Sequence, residues 1–473
     1  MKESLFCTKK YTFFLFYKFF IFHKIIKLLK FSTIYYLFLI LNPLQAQDKT
    51  DTITIINTKE KQIKGWSLGA VPAIAFDSDV GFKYGAALNL YDYGNGSLYP
   101  DYKHSIYLEW SRTTKGSGIN QITYDSKYLI KGLRFTGDIS YFQEQALDFY
   151  GFNGYQSEYN QEFEDMNNIN YISRMYYRID RQLFRLSLDI LSNKINQKFK
   201  WIIGYGLYDN NISNVDINKL NEGRDKDKVF PAVDTNTSLY EKYKKWEIIP
   251  KEQINGGTTQ IIKLGLVYDS RDNEANPMKG LWTEALVLLS PSIIGNDYNY
   301  AQIAINHRQY FTLKKEVLNL ACRLAYQGKI AGEMPYYMLP FLFSSNKPTR
   351  DGLGGAKTVR GVLRNRIVGE GMFYGNFELR WKFLRTKFLK QNFYMALSGF
   401  TDMGQVIQYY DFKKNNIPTN YKIIADDESL HLGYGGSLHL VLNSNFVLNF
   451  TYGRAKSKQD GNSAFYINLN YLF

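Results

Sequence analysis

The sequence predicts an all-β protein, a 16-stranded antiparallel transmembrane β-barrel, on three observations. From Trp66 to Phe473, apolar and polar residues alternate with period two in runs of about ten residues, punctuated by Gly, Asn, Asp and Pro. The runs number sixteen, the even count that brings both ends of a barrel chain to the periplasmic side. Short and long connections between them also alternate. A soluble sandwich shares only the first of these features. Closure answers a physical need as well, because lipid offers no hydrogen-bond partner to a free strand edge.

The N-terminus reads as an export signal. Lys24, Lys27 and Lys30 precede the uncharged run Phe31–Leu41, and Ala46 provides a small residue before Gln47. That apolar core is shorter than the ~20 residues a helical span needs. Residues 1–46 are therefore read as a cleaved signal peptide, 47–65 as a short periplasmic segment and 66–473 as the barrel, an outer-membrane protein of a Gram-negative cell. Seven Lys and one Glu leave with residues 1–46, which lowers the net charge from +14 to +8. No basic stripe collects that charge, so lipid rather than nucleic acid is the expected partner. Cys7 leaves with the leader and Cys322 is then alone, so no internal disulfide forms.

Taken in order, strands are expected at 66–76, 80–91, 103–114, 119–130, 133–146, 169–191, 198–210, 259–269, 280–290, 298–312, 316–328, 371–385, 391–403, 430–441, 446–454 and 463–473. With the first running outward, even-numbered gaps should be short turns, as at Lys131-Gly132 and Leu313–Lys315. The long gaps at 147–168, 211–258, 329–370 and 404–429 are all odd. This parity requires 169–191 to be one overlong strand; a split at Asp180 would break it. The loop 211–258 mixes Lys with Asp and Glu and reads as solvated, with one short helix over 238–246. In the last run Phe465, Ile467, Leu469, Tyr471 and Phe473 share one face, with Tyr466, Asn468 and Asn470 on the other.

Catalytic patterns are missing. There is no His-Glu-x-x-His, no Gly-x-Ser-x-Gly, no phosphate-binding Gly-Lys loop and no Cys pair for zinc. His431 and His439 share an inward face but lie roughly 27 Å apart at ~3.4 Å per residue, too far to share a metal. No enzyme, metal or cofactor is indicated.

One charge constellation stands out. On strand 371–385, Phe373, Phe377, Leu379, Trp381 and Phe383 form the apolar face, which turns Asn376, Glu378 and Arg380 inward. On the next strand Phe393, Met395 and Leu397 face out, so Asp402 faces in. Two carboxylates close together raise each other's pKa unless a cation joins them, and a guanidinium fork binds both. Arg360, in a Gly-flanked loop long enough to fold back, is the candidate. Spacing alone leaves open that the three are unrelated polar residues of a wet pore.

Val359-Arg360-Gly361 in a long loop, Gly375-Asn-Phe-Glu378 on the following strand and Phe400-Thr-Asp-Met-Gly404 on the next resemble the signature of the BamA, TamA and FhaC superfamily of outer-membrane assembly and secretion barrels. The run Asp269-Ser-Arg271-Asp272 with Pro277 and Gly280 resembles that family's periplasmic turn. Gly433-Tyr-Gly-Gly436 and the terminal Phe473 also fit. The resemblance is strongest from about 261 onward. It implies that the sixth outer loop folds into the lumen and that Arg360-Gly361 locks onto Glu378 and Asp402. It also implies that Tyr471 and Phe473 form a C-terminal assembly signal and that Asp269, Arg271 and Asp272 make a charge-paired structural turn. Family members carry periplasmic POTRA domains, which 19 residues over 47–65 cannot hold, so the chain resembles a subgroup without them. The resemblance implies a role in inserting or assembling outer-membrane components through a seam between the first and last strands, with outer-membrane proteins as clients. The alternatives are a passive or gated pore plugged by the sixth loop, and a surface-interaction protein.

Overall fold

The computed structural model describes residues 64–473, apart from 74, 78–80, 98–101, 193–197, 232–237, 275, 346, 389–390, 413–416, 418–426, 443–445 and 470. The chain divides into units Met1–Thr58 and Lys59–Phe473, and every described residue lies in the second. The expected leader, and the segment after it as far as residue 63, lie outside the described residues.

Alternation is realised as sixteen strands in one sheet. They are β1 (Trp66–Pro72, resuming at Ala75–Asp77), β2 (Gly81–Asp92), β3 (His104–Thr113), β4 (Gly118–Ile130), β5 (Leu133–Asp148), β6 (Arg178–Ser192), β7 (Phe199–Ser213) and β8 (Gly256–Asp269). Then follow β9 (Gly280–Ser290), β10 (Tyr300–Lys314), β11 (Leu318–Gly332), β12 (Gly371–Phe388), β13 (Gln391–Gln408), β14 (His431–Leu442), β15 (Phe446–Ala455) and β16 (Ser463–Leu469). Both segments of β1 pair with β2, so they form one interrupted strand. From there every strand pairs antiparallel with its sequence neighbours as far as β16.

The two faces of this sheet differ chemically. Leu379 and Trp381 are 45% and 50% exposed, whereas Asn376, Glu378 and Arg380 between and beside them are at most 1% exposed. Trp110, Ile122, Ile139, Leu266 and Phe465 repeat the outward apolar pattern on other strands. An apolar exterior over a polar interior inverts a soluble protein and suits a wall that meets hydrocarbon. No helix of the described residues is long and apolar enough to cross a membrane, which says nothing against crossing by strands.

Connections keep the expected parity. Tight links join β4 to β5 at Lys131-Gly132, where Gly132 has φ 80°, and β10 to β11 at 315–317. The long segments 149–177, 214–255, 333–370 and 409–430 follow β5, β7, β11 and β13. The sixth run is one strand, but it begins at Arg178 rather than 169. Residues before it turn instead and bury Tyr176 and Tyr177 in an aromatic cluster with Phe149, Phe152, Tyr240 and Tyr336.

That cluster corrects the reading of 211–258 as a solvated loop. It contains two helices, α1 (Ile217–Asn221) and the expected α2 (Leu239–Lys245), which Ser238 caps by accepting the Glu241 N–H at 3.1 Å. Leu239, Tyr240 and Tyr243 of α2 are buried in the cluster, because its apolar residues recur at helical spacing while its lysines stay at the edge.

A second correction concerns the C-terminus. Phe465 and Ile467 face outward as expected, but Tyr471 and Phe473 do not share their face; both are 7% exposed. The β16 ladder with β15 ends at Leu469, and past it nothing enforces alternation. The chain turns toward Arg380, which lies 4.4 Å from the Tyr471 ring centroid and 5.3 Å from that of Phe473.

Candidate functional site

The site is assembled where β12 and β13 face the segment 333–370. In their register Asn376 pairs with Asp402, and Glu378 pairs with Phe400. Asp402, Phe400 and Glu378 therefore form a diagonal on one face, set by period two on each strand. Arg360 lies across it. Its Nε and Nη2 donate to the two oxygens of Asp402 at 2.7 and 3.0 Å, and its backbone N–H adds a third bond at 2.9 Å. Nη1 donates to Glu378 Oε2 at 2.7 Å. Beneath the guanidinium lies the Phe400 ring, with its centroid 3.5 Å away.

Burial opposes the Arg360 charge, but Asp402 and Glu378 outweigh it and hold the guanidinium above its usual range. Arg360, Glu378 and Asp402 are exposed by no more than 3%. Charges taken this far from water persist only when paired and hydrogen-bonded.

Glycines let the loop approach so closely. Gly361 has φ 91°, and a Cβ there would meet Arg454 backbone atoms at 2.6 Å. A Cβ on Gly433, which pairs with Asp402, would lie 2.0 Å from the Arg360 carbonyl oxygen. Gly433, the first glycine of the Gly-Tyr-Gly-Gly run of β14, thus leaves room for the loop backbone. Tyr466 completes the seat by accepting the Gly361 N–H at 3.2 Å. Further along, Arg366 donates to the carbonyls of Gly154, Ser157 and Gln459 at 2.7 to 3.0 Å, tying the segment to two other loops.

Sequence reasoning paired Arg360 with the two acids but gave no role to Phe400, Arg380, Arg366 or Gly433. Their inward parity was readable for Phe400 and Arg380. What each touches was not, because those contacts come from segments distant in sequence. Arg380 Nε donates to the other Glu378 oxygen at 2.8 Å, and its Nη2 donates to the Phe473 carbonyl at 3.2 Å. The expected C-terminal pair and the expected loop arginine are therefore joined through one glutamate.

The turn motif lies between β8 and β9. Arg271 makes a two-pronged contact with Asp269 at 3.0 and 3.2 Å, while Asp272 accepts the N–H groups of Met278 and Lys279 at 3.0 and 3.3 Å. Gly280 has φ 98°, and a Cβ there would meet the Ser270 carbonyl oxygen at 2.3 Å. Pro277 offers its carbonyl to Asn319 at 3.4 Å.

Residues 104–473 match the Omp85 superfamily domain. The chain belongs to the Omp85 superfamily. Omp85 homologues are outer-membrane barrels that generally assemble or translocate substrates, and they are not enzymes. Among solved structures, the chain is similar to BamA from Haemophilus ducreyi lacking POTRA domains 1-3, at 18% identity and TM-score 0.49, over 86% of this chain and 70% of that one. It is similar to CdiB from Escherichia coli at 10% identity and TM-score 0.49, over 86% and 62%, and to CdiB from Acinetobacter baumannii at 13% and 0.40, over 87% and 66%. The chain thus spans 62 to 70% of the length of these structures. No curated protein matches it.

Proposed function

We propose that this Omp85 barrel assists the insertion or assembly of outer-membrane components through the seam between β1 and β16, with the segment 333–370 held in the lumen by Arg360. The observation that carries this reading is the buried pairing of one loop arginine with carboxylates on two adjacent strands. Such a lock fixes the loop against β12 and β13, and the Tyr466 hydroxyl, which accepts the Gly361 N–H, ties it to the seam strand β16 as well. The same segment reaches the other side of the sheet, where Lys347 donates to Thr123 Oγ1 at 2.6 Å and Arg181 donates to the Arg350 carbonyl at 3.1 Å. A loop bonded to β4 and β6 as well as to β12 and β13 fits a lumen plug.

The seam strands support the rest. β1 is interrupted after Pro72, and β16 has only seven residues against fifteen in β10. A short ladder is a cheap one to open, and an opened edge offers main-chain groups to an incoming strand. Export by a signal peptide over 1–46, a barrel beginning at Trp66 and outer-membrane proteins as clients belong to the same proposal. Crosslinking β1 to β16 through engineered cysteines, followed by quantitative outer-membrane proteomics, tests it. Loss of other barrels from the membrane is expected; an unchanged proteome would refute the seam mechanism.

A gated pore is the second reading, favoured by a chamber of about 500 Å3 that residues of the loop and of the C-terminus line together. It predicts conductance in planar bilayers that rises when residues 349–365 are deleted.

A further inference from the structure

Six basic residues line that chamber, namely Arg271, Arg308, Arg323, Lys347, Lys357 and Arg360, against the acids Glu274 and Glu378. Three of the six are neutralised locally. Arg360 is held by Asp402 and Glu378, Arg271 by Asp269, and Lys347 lies 3.4 Å from Asp138. The other three have no carboxylate within ion-pair distance among the described residues.

Their arrangement is unusual. Arg308 on β10 and Arg323 on β11 are direct cross-strand partners, the placement in which like charges destabilise a sheet. Arg323 spends its donors on neutral acceptors, the Asn376 side-chain oxygen at 2.7 Å and the Lys357 carbonyl at 3.0 Å. That second bond brings the Lys357 main chain beside the arginine pair. Arg308 Nε is shielded from solvent and has no hydrogen-bond partner among the described residues. A shielded guanidinium N–H left unpaired beside a second guanidinium costs free energy that a bound anion would recover.

We propose that the cross-strand pair Arg308 and Arg323 forms a binding site for a phosphate-bearing ligand inside the chamber. Charge selects the class. Two adjacent guanidinium groups exceed what a single carboxylate neutralises, whereas a phosphate monoester carries about −1.5 to −2 and offers three acceptor oxygens. Guanidinium forks match those oxygens in pairs. Size agrees, since about 500 Å3 falls within the range of small-ligand sites. This inference is independent of the seam mechanism and of the Arg360 lock, whose residues it does not use.

Calorimetric titration of the full-length protein in detergent at low salt, with inorganic phosphate as the probe, tests the site. Saturable binding to one site is expected, weakened about tenfold or more in Arg308→Gln, since a lost charged hydrogen bond is worth about that much. Heat-modified gel migration checks that the variant is folded. Should Arg308→Gln fail to fold, Arg308→Lys, which keeps the charge but loses the guanidinium fork, decides the matter with the same direction of change. Glycerol 3-phosphate as a second titrant separates the sources: tighter binding than inorganic phosphate assigns the site to a lipid headgroup, and equal or weaker binding assigns it to free phosphate. Absence of saturable binding of either probe, or equal affinity in the wild type and the folded variants, overturns the proposal.

Discussion

At the residue scale, the site turns on an arginine whose three donor groups meet two carboxylates and whose plane rests on an aromatic ring. Removing it leaves Glu378 with Arg380 as its remaining cation and Asp402 with none of the three bonds it accepts from Arg360. Arg360→Ala should therefore cost about 3–5 kcal/mol, the range for breaking one partner out of a buried ion pair. Lower resistance to heat in detergent, read as earlier unfolding on gels, would report it, and unchanged migration would contradict the lock. Arg360→Lys keeps the charge but loses the fork, so its barrel should unfold between the two. Gly433→Val tests the backbone approach instead of the charge. Its Cβ would collide with the Arg360 carbonyl oxygen, so loop 349–365 should become protease-sensitive although every ionic partner survives.

At the element scale, the β8–β9 turn reaches across to other strands through Glu274, which pairs with Arg134 of β5 at 3.0 Å and with Lys127 of β4 at 3.5 Å. Burial opposes the charge on Glu274, but Arg134 and Lys127 outweigh it and hold the carboxyl at about 2. A folded pKa below the unfolded one stabilises above the usual glutamate range, near ~4.3, and that contribution is lost as pH falls toward about 2. The hydrogen-exchange protection of residues 270–279, corrected for the intrinsic exchange rate at each pH, should fall across this window, and Glu274→Gln should remove that fall. Because the Glu274 side chain is 53% exposed, water screens the pairs and the effect should be modest.

At the scale of the molecule, the long loops are not slack connections. Aromatic residues from 149–177, 239–249 and 334–343 share one buried cluster, which accounts for a Tyr and Phe content beyond what the lipid face uses. The loop lock and the C-terminal turn both border the chamber, and Arg380 and Glu378 link them. Deleting residues 349–365 should expose this interior, and conductance in a planar bilayer that stays at wild-type level would argue against a plugging role.

The sequence by itself determined the strand count, the parity of the connections and the inward placement of Glu378 and Asp402. Each follows from a local rule: side chains alternate along a strand, and lipid demands an apolar exterior. The pairing of Arg360 with both acids was a candidate that spacing left open and that the family resemblance implied. Tertiary structure alone decided which strangers in sequence meet. Nothing in the alternation of 463–473 tells that Tyr471 and Phe473 turn inward, because their partner, Arg380, belongs to another strand and the ladder has already ended. Likewise Arg308 and Arg323 face each other only once β10 and β11 have set their register, and the α2 aromatics leave solvent only because distant loops supply a surface to bury them against.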